Sequence, residues 1–285
     1  MNQLLTVSLR QKAIYIPAHG TSIQEAFPNH EAMRSNILER IDAIAHEQSI
    51  NILFACESGS RGWQFPSPDS DYDVRFIYLR SGNDYLSVAG KTDDMSFPIN
   101  DELDIHGWDL RKLLRLMLKS NTTPFEWIQS PIIYRQKAEF PEALWSLSQH
   151  YYSRRSNIHH YLGIASGARA SFGADGRIGI KKLFYVLRPL LAAKWCLERN
   201  SIAPMTIGPL MELLPRGLRE ELSDLIALKA DRPEAFLINV SALLKAFIDA
   251  EMKSIDEASK QLSRDFFDPG RLDDFFRQML KQHDN

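Results

Sequence analysis

Two short motifs in the first third of the chain contain the residue types that phosphate chemistry requires. The first is Glu57-Ser58-Gly59-Ser60-Arg61-Gly62, and Asp71-Tyr72-Asp73-Val74 begins eleven residues after Ser60. Glycine allows a backbone to come close to a phosphate, the start of a following helix would direct free N–H groups at it, and Ser60 adds a hydroxyl donor. Taken alone, a Gly-Ser turn of this kind is more often a plain turn without a ligand.

The two aspartates of the second motif predict a site for a divalent cation. Side chains in a β-strand alternate between faces, so Asp71 and Asp73 are expected on the same side. Two like charges so close repel each other unless a cation lies between them. Mg²⁺ is usually bound by one or two carboxylates together with substrate phosphates. A lone Asp-x-Asp is mostly a turn cap or solvated surface, so this interpretation depends on the preceding turn and strand.

A third carboxylate, Asp104, is expected on a neighbouring strand. It alternates with Leu103 and Ile105, so its side chain should point away from their apolar face and toward a polar cleft. Three carboxylates can hold two metal ions roughly 3.5–4 Å apart, which bind the attacking and leaving oxygens of an in-line displacement. The chemistry predicted is phosphoryl or nucleotidyl transfer with two Mg²⁺ ions, or Mn²⁺ in their place.

The elements that must position these residues can be read from the hydrophobic pattern. Apolar runs at 52–56 and 74–79 predict buried strands on either side of the first motif, and Leu103–His106 predicts another. Residues 30–48 have helical spacing, and Asp109 is a plausible N-cap for a helix over 110–119. Residues 81–90 predict a loop. Residues 1–29 fit short strands or an ordered arm.

Beyond about residue 141 nearly every segment has helical periodicity. The fold class expected is α+β, with a small mixed-sheet domain followed by an all-helical domain. We predict a catalytic domain over residues 1–140 and a helical domain over residues 141–285 that binds the nucleotide or the acceptor. Two cysteines, Cys56 and Cys196, lie in apolar context and indicate buried thiols of a cytoplasmic protein. No apolar run approaches the roughly 18 residues of a membrane span.

The charge is unevenly distributed, although the net charge is only −2. Residues 69–109 contain ten acids and three bases, whereas residues 152–199 contain nine bases and two acids. An acidic segment suits metal binding and a basic one suits phosphates. From charge alone, however, two solvated surfaces that dock on each other are the favoured interpretation.

The basic segment includes a helix with a distinct polar face. At 100° per residue, Lys181, Tyr185 and Arg188 fall within about 60° of one another. This face could hold a triphosphate through its two cations and stack a base or sugar on Tyr185, or it could be a solvated basic face. Lys182 would serve if the helix were rotated. Arg75 shares the face of the two aspartates, where it could pair with them, brace a phosphate or balance the local charge.

The combination of these motifs resembles the DNA polymerase beta-type nucleotidyltransferase superfamily. It is most similar to the RNA-repair-pathway DNA polymerase beta-like (RlaP) family, and residues 57–190 contain the matching motifs. Those motifs are Glu57–Gly62, Ser67–Tyr78, Gly107–Lys112, Lys119–Asn121 with Glu126-Trp127, and Lys181–Leu190. The resemblance implies a Mg²⁺-dependent nucleotidyltransferase that uses a nucleoside triphosphate and is linked to RNA end repair. Arg61 then joins Gly59 and Ser60 as a nucleotide-binding residue.

Two other functions remain open at this point. A non-catalytic nucleotide or RNA sensor would keep the fold without the chemistry, but all three carboxylates are present. A metal-dependent sugar-nucleotide transferase would have its own Asp-x-Asp, but that class lacks the preceding Gly-Ser turn. The acceptor is also open, between an RNA 3′-end, a tRNA, a protein hydroxyl and a small molecule. The tryptophans of this region are expected to be packing residues, and its histidines form no metal-ligand set.

Overall fold

The computed structural model describes residues 30–100, 102–173 and 176–283, and its architecture is α+β. The fold class predicted from the sequence is therefore confirmed. The short strands expected within residues 1–29 lie outside the described residues. In the described part of the chain, none of the helices is both long enough and apolar enough to cross a membrane.

The front part is built around a five-stranded mixed sheet. Its elements are α1 (His30–Glu47), β1 (Asn51–Glu57), α2 (Gly59–Gly62), β2 (Tyr72–Leu79), α3 (Gly82–Leu86), β3 (Asp94–Asn100), β4 (Leu103–Asp109), α4 (Leu110–Leu118), α5 (Thr122–Trp127) and β5 (Ile133–Gln136). The strand order is β3-β4-β2-β1-β5. Strands β2 and β4 are parallel, and the other neighbouring pairs are antiparallel.

The alternation of side chains along β2 explains how the sheet can carry a polar site. Val74 and Phe76 belong to the apolar layer between the sheet and α1, which contributes Ile37, Ile41 and Ile44. Asp73 and Arg75 therefore face the other side. Farther along β2, that side is covered by α4, α5 and the C-terminal helix, but at its beginning it remains partly open.

The start of α4 follows the sequence closely. Asp109 is the last residue of β4, and its Oδ1 accepts a hydrogen bond of 2.8 Å from the backbone N–H of Arg111. The predicted N-cap is confirmed. Strands β3 and β5 were not expected, because β3 follows a polar loop and β5 has only four residues. Strand β3 depends on pairing with β4, and β5 depends on pairing with β1. The periodicity of a segment does not predict its partner strand.

The back half is mainly helical. Its elements are α6 (Phe140–Ser148), a 3₁₀ turn (Gln149–Tyr151), α7 (Arg154–Arg169), β6 (Arg177–Gly179), α8 (Ile180–Arg199), α9 (Ile207–Met211), α10 (Arg216–Ala230), β7 (Leu237–Asn239), α11 (Ala242–Ser259) and α12 (Gly270–His283). A second core forms around the paired helices α7 and α8. Strands β6 and β7 pair with each other, so this half also contains a two-stranded sheet that the sequence did not predict. Each strand has three residues, too few for a periodic pattern.

The C-terminal helix returns to the front part of the molecule. Leu272, Phe275 and Met279 of α12 share an apolar cluster with Leu53 and Phe54 of β1. The domain boundary between residues 140 and 141 stays a prediction. Helix α12 follows that boundary in the sequence but packs against the front part of the molecule.

Candidate active site

The carboxylates of Asp73 and Asp104 lie side by side on the two parallel strands, in direct register. The guanidinium of Arg75 lies between them, with its Nη2 2.8 Å from Asp73 Oδ1 and 2.7 Å from Asp104 Oδ2. All three side chains are partly buried. The structure therefore brings together two of the three predicted carboxylates and the predicted cation.

The surroundings of Asp73 show why a cation is needed there. Burial raises the pKa of the Asp73 carboxyl, and the charges of Asp104 and Asp71 raise it further, while Arg75 opposes the shift. Asp71 lies just before β2 begins and is exposed. It is thus the most accessible of the three carboxylates, and it still acts electrostatically on Asp73.

The first motif lies against Asp73 as a tight turn. Gly59 has φ of +55°, a left-handed conformation, and a Cβ at this position would stand 1.8 Å from Asp73 Oδ2. The backbone N–H of Ser58 also donates a hydrogen bond of 2.8 Å to the carbonyl of Asp73. The turn and the carboxylate are therefore in contact. We expected the turn to bind a phosphate and Asp73 to bind a metal ion, and in this arrangement the two sites would be adjacent.

The side chains of Ser60 and Arg61 mainly hold the two motifs together. The buried Ser60 hydroxyl donates to Ser70 Oγ at 3.0 Å. Arg61 donates to the carbonyl oxygens of Ser70 at 2.7 Å and Asp71 at 3.2 Å, and its guanidinium lies 4.0 Å from the centre of the Tyr72 ring. In this state, both side chains support the backbone that carries Asp71.

Glu57 is a site residue that the sequence did not identify. Its buried carboxylate accepts a 2.7 Å hydrogen bond from the backbone N–H of Asp73 and a second one from the Tyr134 hydroxyl. Burial raises the pKa of Glu57 to about 7. The available signal was an acid that directly ends an apolar strand, where a charge requires specific partners.

The cations predicted on α8 are placed differently from one another. Lys181 is half-buried and pairs with Glu234, and Lys182 is exposed. Burial lowers the pKa of Lys181, but the hydrogen bond and charge of Glu234 outweigh burial and raise it overall. Tyr185 is partly buried on the next turn. The Glu234 carboxylate also accepts from Ser70 Oγ at 2.8 Å, which links Lys181 to the loop of the second motif.

Arg188 does not share the exposed face that the helical periodicity suggested. It is 2% exposed, and its guanidinium donates to Glu126 Oε1 at 2.7 Å and to the carbonyl of Met205 at 3.0 Å. Neighbouring elements cover this side of α8. We correct the expectation for Arg188 accordingly: its charge is already neutralised by a buried carboxylate.

A cleft of about 490 Å³ opens beside the carboxylates. Asp104 and Arg75 line one end, and the cleft continues past α5 to α7 and α8. A larger cavity of about 600 Å³ lies at the opposite end of β1 and β2, next to Asn51 and Leu79, and contains none of the predicted site residues. The cleft next to Asp104 is therefore the relevant one.

The donor set suits a hard divalent cation in its chemistry. Asp73 and Asp104 both direct carboxylate oxygens at a single positively charged nitrogen, and oxygen ligands are what Mg²⁺ prefers. In this state, the described residues include no group of three or more His, Cys, Asp or Glu side chains arranged to hold a metal ion. Arg75 supplies the compensating charge.

Comparison with known proteins identifies the family of the chain. The model of the RNA repair pathway DNA polymerase beta family (RlaP) matches residues 33–278. The chain belongs to this family, and the family indicates a nucleotidyltransferase of the polymerase beta type.

Two individual proteins are similar to the chain. "Uncharacterized protein YcgL" of Bacillus subtilis (strain 168) is 38% identical over 232 residues, which cover 81% of this chain and 89% of that protein. A solved nucleotidyltransferase-like protein from Exiguobacterium sibiricum 255-15 is 11% identical, with a TM-score of 0.29 over 87% of this chain and 81% of that one.

Proposed function

We propose that this protein transfers a nucleoside monophosphate from a nucleoside triphosphate to a hydroxyl acceptor on an RNA end and releases pyrophosphate. The observation that carries the proposal is the contact between the Gly59 turn and Asp73, with Asp104 in register beside it. A phosphate-binding turn and a pair of carboxylates at one strand end are what such a reaction requires.

Asp71, Asp73 and Asp104 would hold two Mg²⁺ ions, or Mn²⁺ in their place. When bound, these ions would neutralise the triphosphate and the charge that develops on the reacting oxygens. Arg75 would then no longer be required as the compensating charge for the two carboxylates, and its guanidinium would be available to a phosphate.

The chain's own residues have distinct tasks in the reaction. The acceptor oxygen bonds to the α-phosphorus while the bond from that phosphorus to the β-phosphate oxygen breaks. Asp104, which lines the open cleft, accepts the proton from the acceptor hydroxyl. The backbone at Gly59 and Ser60 would hold the β- and γ-phosphates, next to the carboxylate that Gly59 contacts.

Lys181 is the cation best placed to neutralise the pyrophosphate. It is partly exposed, and its partner Glu234 belongs to a loop that also contacts Ser70, the residue before the second motif. A triphosphate that replaces Glu234 as its partner would keep the charge paired throughout. Lys182 is exposed and adds to the local positive charge.

The family to which the chain belongs supports an RNA acceptor, because this family is named for an RNA repair pathway. Two free, buried cysteines fit a reducing compartment, and a cytoplasmic location is part of the proposal.

The test is incubation of the full chain with each α-labelled nucleoside triphosphate, Mg²⁺ or Mn²⁺, and either total RNA or total protein. We expect label in RNA with the wild-type chain and a loss of at least about 100-fold in Asp73→Asn and Asp71→Asn. Asp224→Asn, on the exposed side of α10, is the matched control and should retain full turnover. Full turnover in either motif variant would contradict the mechanism, and triphosphate that binds without incorporation would indicate a sensor.

A further inference from the structure

The backbone N–H of Asp73 lies at the point where β1 stops pairing with β2. The two strands are antiparallel, and Glu57 is opposite Val74 in their register. The next pair in that register is Ser58 with Asp73, and a hydrogen-bonded antiparallel pair normally exchanges two backbone hydrogen bonds. The first of these is present, because the Ser58 N–H donates to the Asp73 carbonyl at 2.8 Å.

The Ser58 carbonyl does not accept the second bond, because the chain turns there into α2. It accepts instead from the backbone N–H of Gly62 at 3.0 Å. The Asp73 N–H would then lack a backbone acceptor, and an unpaired buried N–H costs free energy. The Glu57 side chain supplies the acceptor, with its Oε1 2.7 Å from the Asp73 nitrogen. A carboxylate thus replaces the carbonyl that the turn has taken away from the sheet.

The Glu57 carboxylate is fixed from its other side by Tyr134. Its Oε2 accepts a hydrogen bond from the Tyr134 hydroxyl, and both side chains are buried. The Tyr134 ring is held by Arg34 of α1, whose guanidinium lies 5.4 Å from the ring centre and donates to the carbonyl of Ile133 at 2.8 Å. Hydrogen bonds to a charged acceptor are short and strong, so β2 and β5 together set the orientation of this carboxylate.

Glu57 is too deeply buried to touch a substrate or a metal ion. It does not line the cleft next to Asp104. Its connection with the site is the bond to the backbone of Asp73, whose partner in the register of β2 and β4 is Asp104. A group that orients a metal ligand from behind changes the affinity of the site for its metal.

We propose that Glu57 is a positioning residue for the metal site and that Tyr134 holds it in place. The inference rests on the proposed function, which assigns a divalent cation to Asp73 and Asp104. Strand β2 lies between β4, which carries Asp104, and β1, which carries Glu57. The bond from Glu57 therefore braces Asp73 on the side away from Asp104 and fixes the distance between the two carboxylates.

The first experiment measures amide hydrogen exchange at Asp73 in the full chain without metal or nucleotide. Glu57→Met removes the acceptor and keeps an unbranched side chain. Glu57→Gln keeps an oxygen for the Asp73 N–H, and its amide group can donate to the Tyr134 oxygen. We expect exchange to be about fivefold or more faster in Glu57→Met and close to wild type in Glu57→Gln. A wild-type exchange rate in Glu57→Met would overturn the proposal.

The second experiment titrates the same proteins with Mn²⁺ alone and follows the free ion by its paramagnetic resonance. Binding should be about tenfold or more weaker in Glu57→Met and close to wild type in Glu57→Gln. A general loss of packing would not be repaired by the conservative variant. Wild-type affinity in Glu57→Met, or an equal loss in both variants, would overturn the positioning role, since an equal loss would assign the effect to the charge.

Two buried tyrosines provide a matched pair that keeps the test decisive if Glu57→Met does not fold. Tyr151 is also buried, and its hydroxyl donates to the carbonyl of Asp268 at 2.9 Å, outside the cleft. Tyr134→Phe should weaken Mn²⁺ binding by about threefold or more, and Tyr151→Phe should leave it unchanged. The same Mn²⁺ affinity in the two variants would overturn the proposal.

Transfer kinetics separate this inference from the proposed function. In Tyr134→Phe the Mn²⁺ concentration needed for half of the maximal rate should rise, and the KM for the triphosphate at saturating Mn²⁺ should stay at its wild-type value. A wild-type chain that binds Mn²⁺ but transfers no label would refute the proposed function, while weaker Mn²⁺ binding in Tyr134→Phe would still support the positioning role. Transfer with an unchanged Mn²⁺ requirement in Tyr134→Phe would do the reverse.

Discussion

Gly59 and Asp73 are so close that no other residue fits at position 59 without moving the carboxylate. A Cβ there would lie 1.8 Å from Asp73 Oδ2 and 2.7 Å from its Cγ. The glycine also has φ of +55°, where a side chain adds strain of roughly 1–2 kcal/mol. The steric and the conformational requirement therefore both select glycine at this position, beside the carboxylate to which we assign a metal.

Replacing this glycine should damage the site directly. In Gly59→Ala, the new methyl group must displace Asp73 from its position beside Asp104, so we expect transfer to fall by about 100-fold or more. Gly163→Ala is the matched control, since nothing lies within 4 Å of a Cβ there and the residue is in a helix. That variant should gain about 0.5–1 kcal/mol of stability. Thermal melts measure the stability of both variants, and initial rates measure their transfer activity. Wild-type activity in Gly59→Ala would contradict the requirement for glycine next to Asp73.

The buried pair of Arg188 and Glu126 should be important for stability. The two side chains are 3% and 11% exposed, so removal of one leaves a buried charge without a partner. We expect Arg188→Met to reduce the free energy of unfolding by about 3–5 kcal/mol. The double variant Glu126→Leu with Arg188→Met should recover much of this loss.

Denaturant titrations measure these free energies. If Arg188 were instead a triphosphate ligand, Arg188→Met would fold normally and raise the KM for the nucleotide, and the double variant would rescue nothing.

The sequence predicted those parts of the site that depend on local spacing. Alternation along one strand was enough to place Asp104 on a polar face, and the cap at Asp109 follows from residue type. Helical periodicity also placed Lys181 and Arg188 within one sector of α8. Periodicity gives only angles between residues of one helix, however. Which sector neighbouring elements cover depends on contacts such as Arg188 with Glu126, which are 62 residues apart.

The same argument applies to Glu57. Glu57 acquires its role from Tyr134, 77 residues later on β5, a strand too short to be recognised by its pattern. The tryptophans were correctly recognised as packing residues by type.

Lys229 should give the stability of the protein a distinct alkaline dependence. Its side chain is fully buried, its Nζ donates to Ser67 Oγ at 2.8 Å, and burial lowers its pKa from 10.5 to about 8. Between pH 8 and 10.5 the unfolded chain therefore holds a proton that the folded chain has released. Stability contributed by this group rises with pH across that window.

Lys229→Met removes this titration and keeps an unbranched side chain. We expect the Tm of the wild type relative to Lys229→Met to increase from about pH 7.5 to about pH 10. Nearby charges, including those of Glu234 and Lys181, are common to both proteins and cancel in the difference. A difference in Tm that does not change with pH would show that Lys229 keeps an ordinary pKa in the folded protein.

Arg75 should determine how much a divalent cation raises the Tm of the protein in the absence of nucleotide. Its guanidinium contacts both Asp73 and Asp104, so a metal ion must compete with an internal charge. In Arg75→Gln the carboxylates lose that charge and repel each other, which lowers the Tm in the absence of metal. Mn²⁺ or Mg²⁺ should then raise the Tm of this variant more than that of the wild type, because a ligand that binds only the folded state stabilises it by about 2.7 kcal/mol at a hundred times its Kd. Arg264→Gln, an exposed position, is the control. Thermal melts over a metal titration measure the effect, and equal metal responses in all three proteins would mean that Arg75 does not compete with metal at these carboxylates.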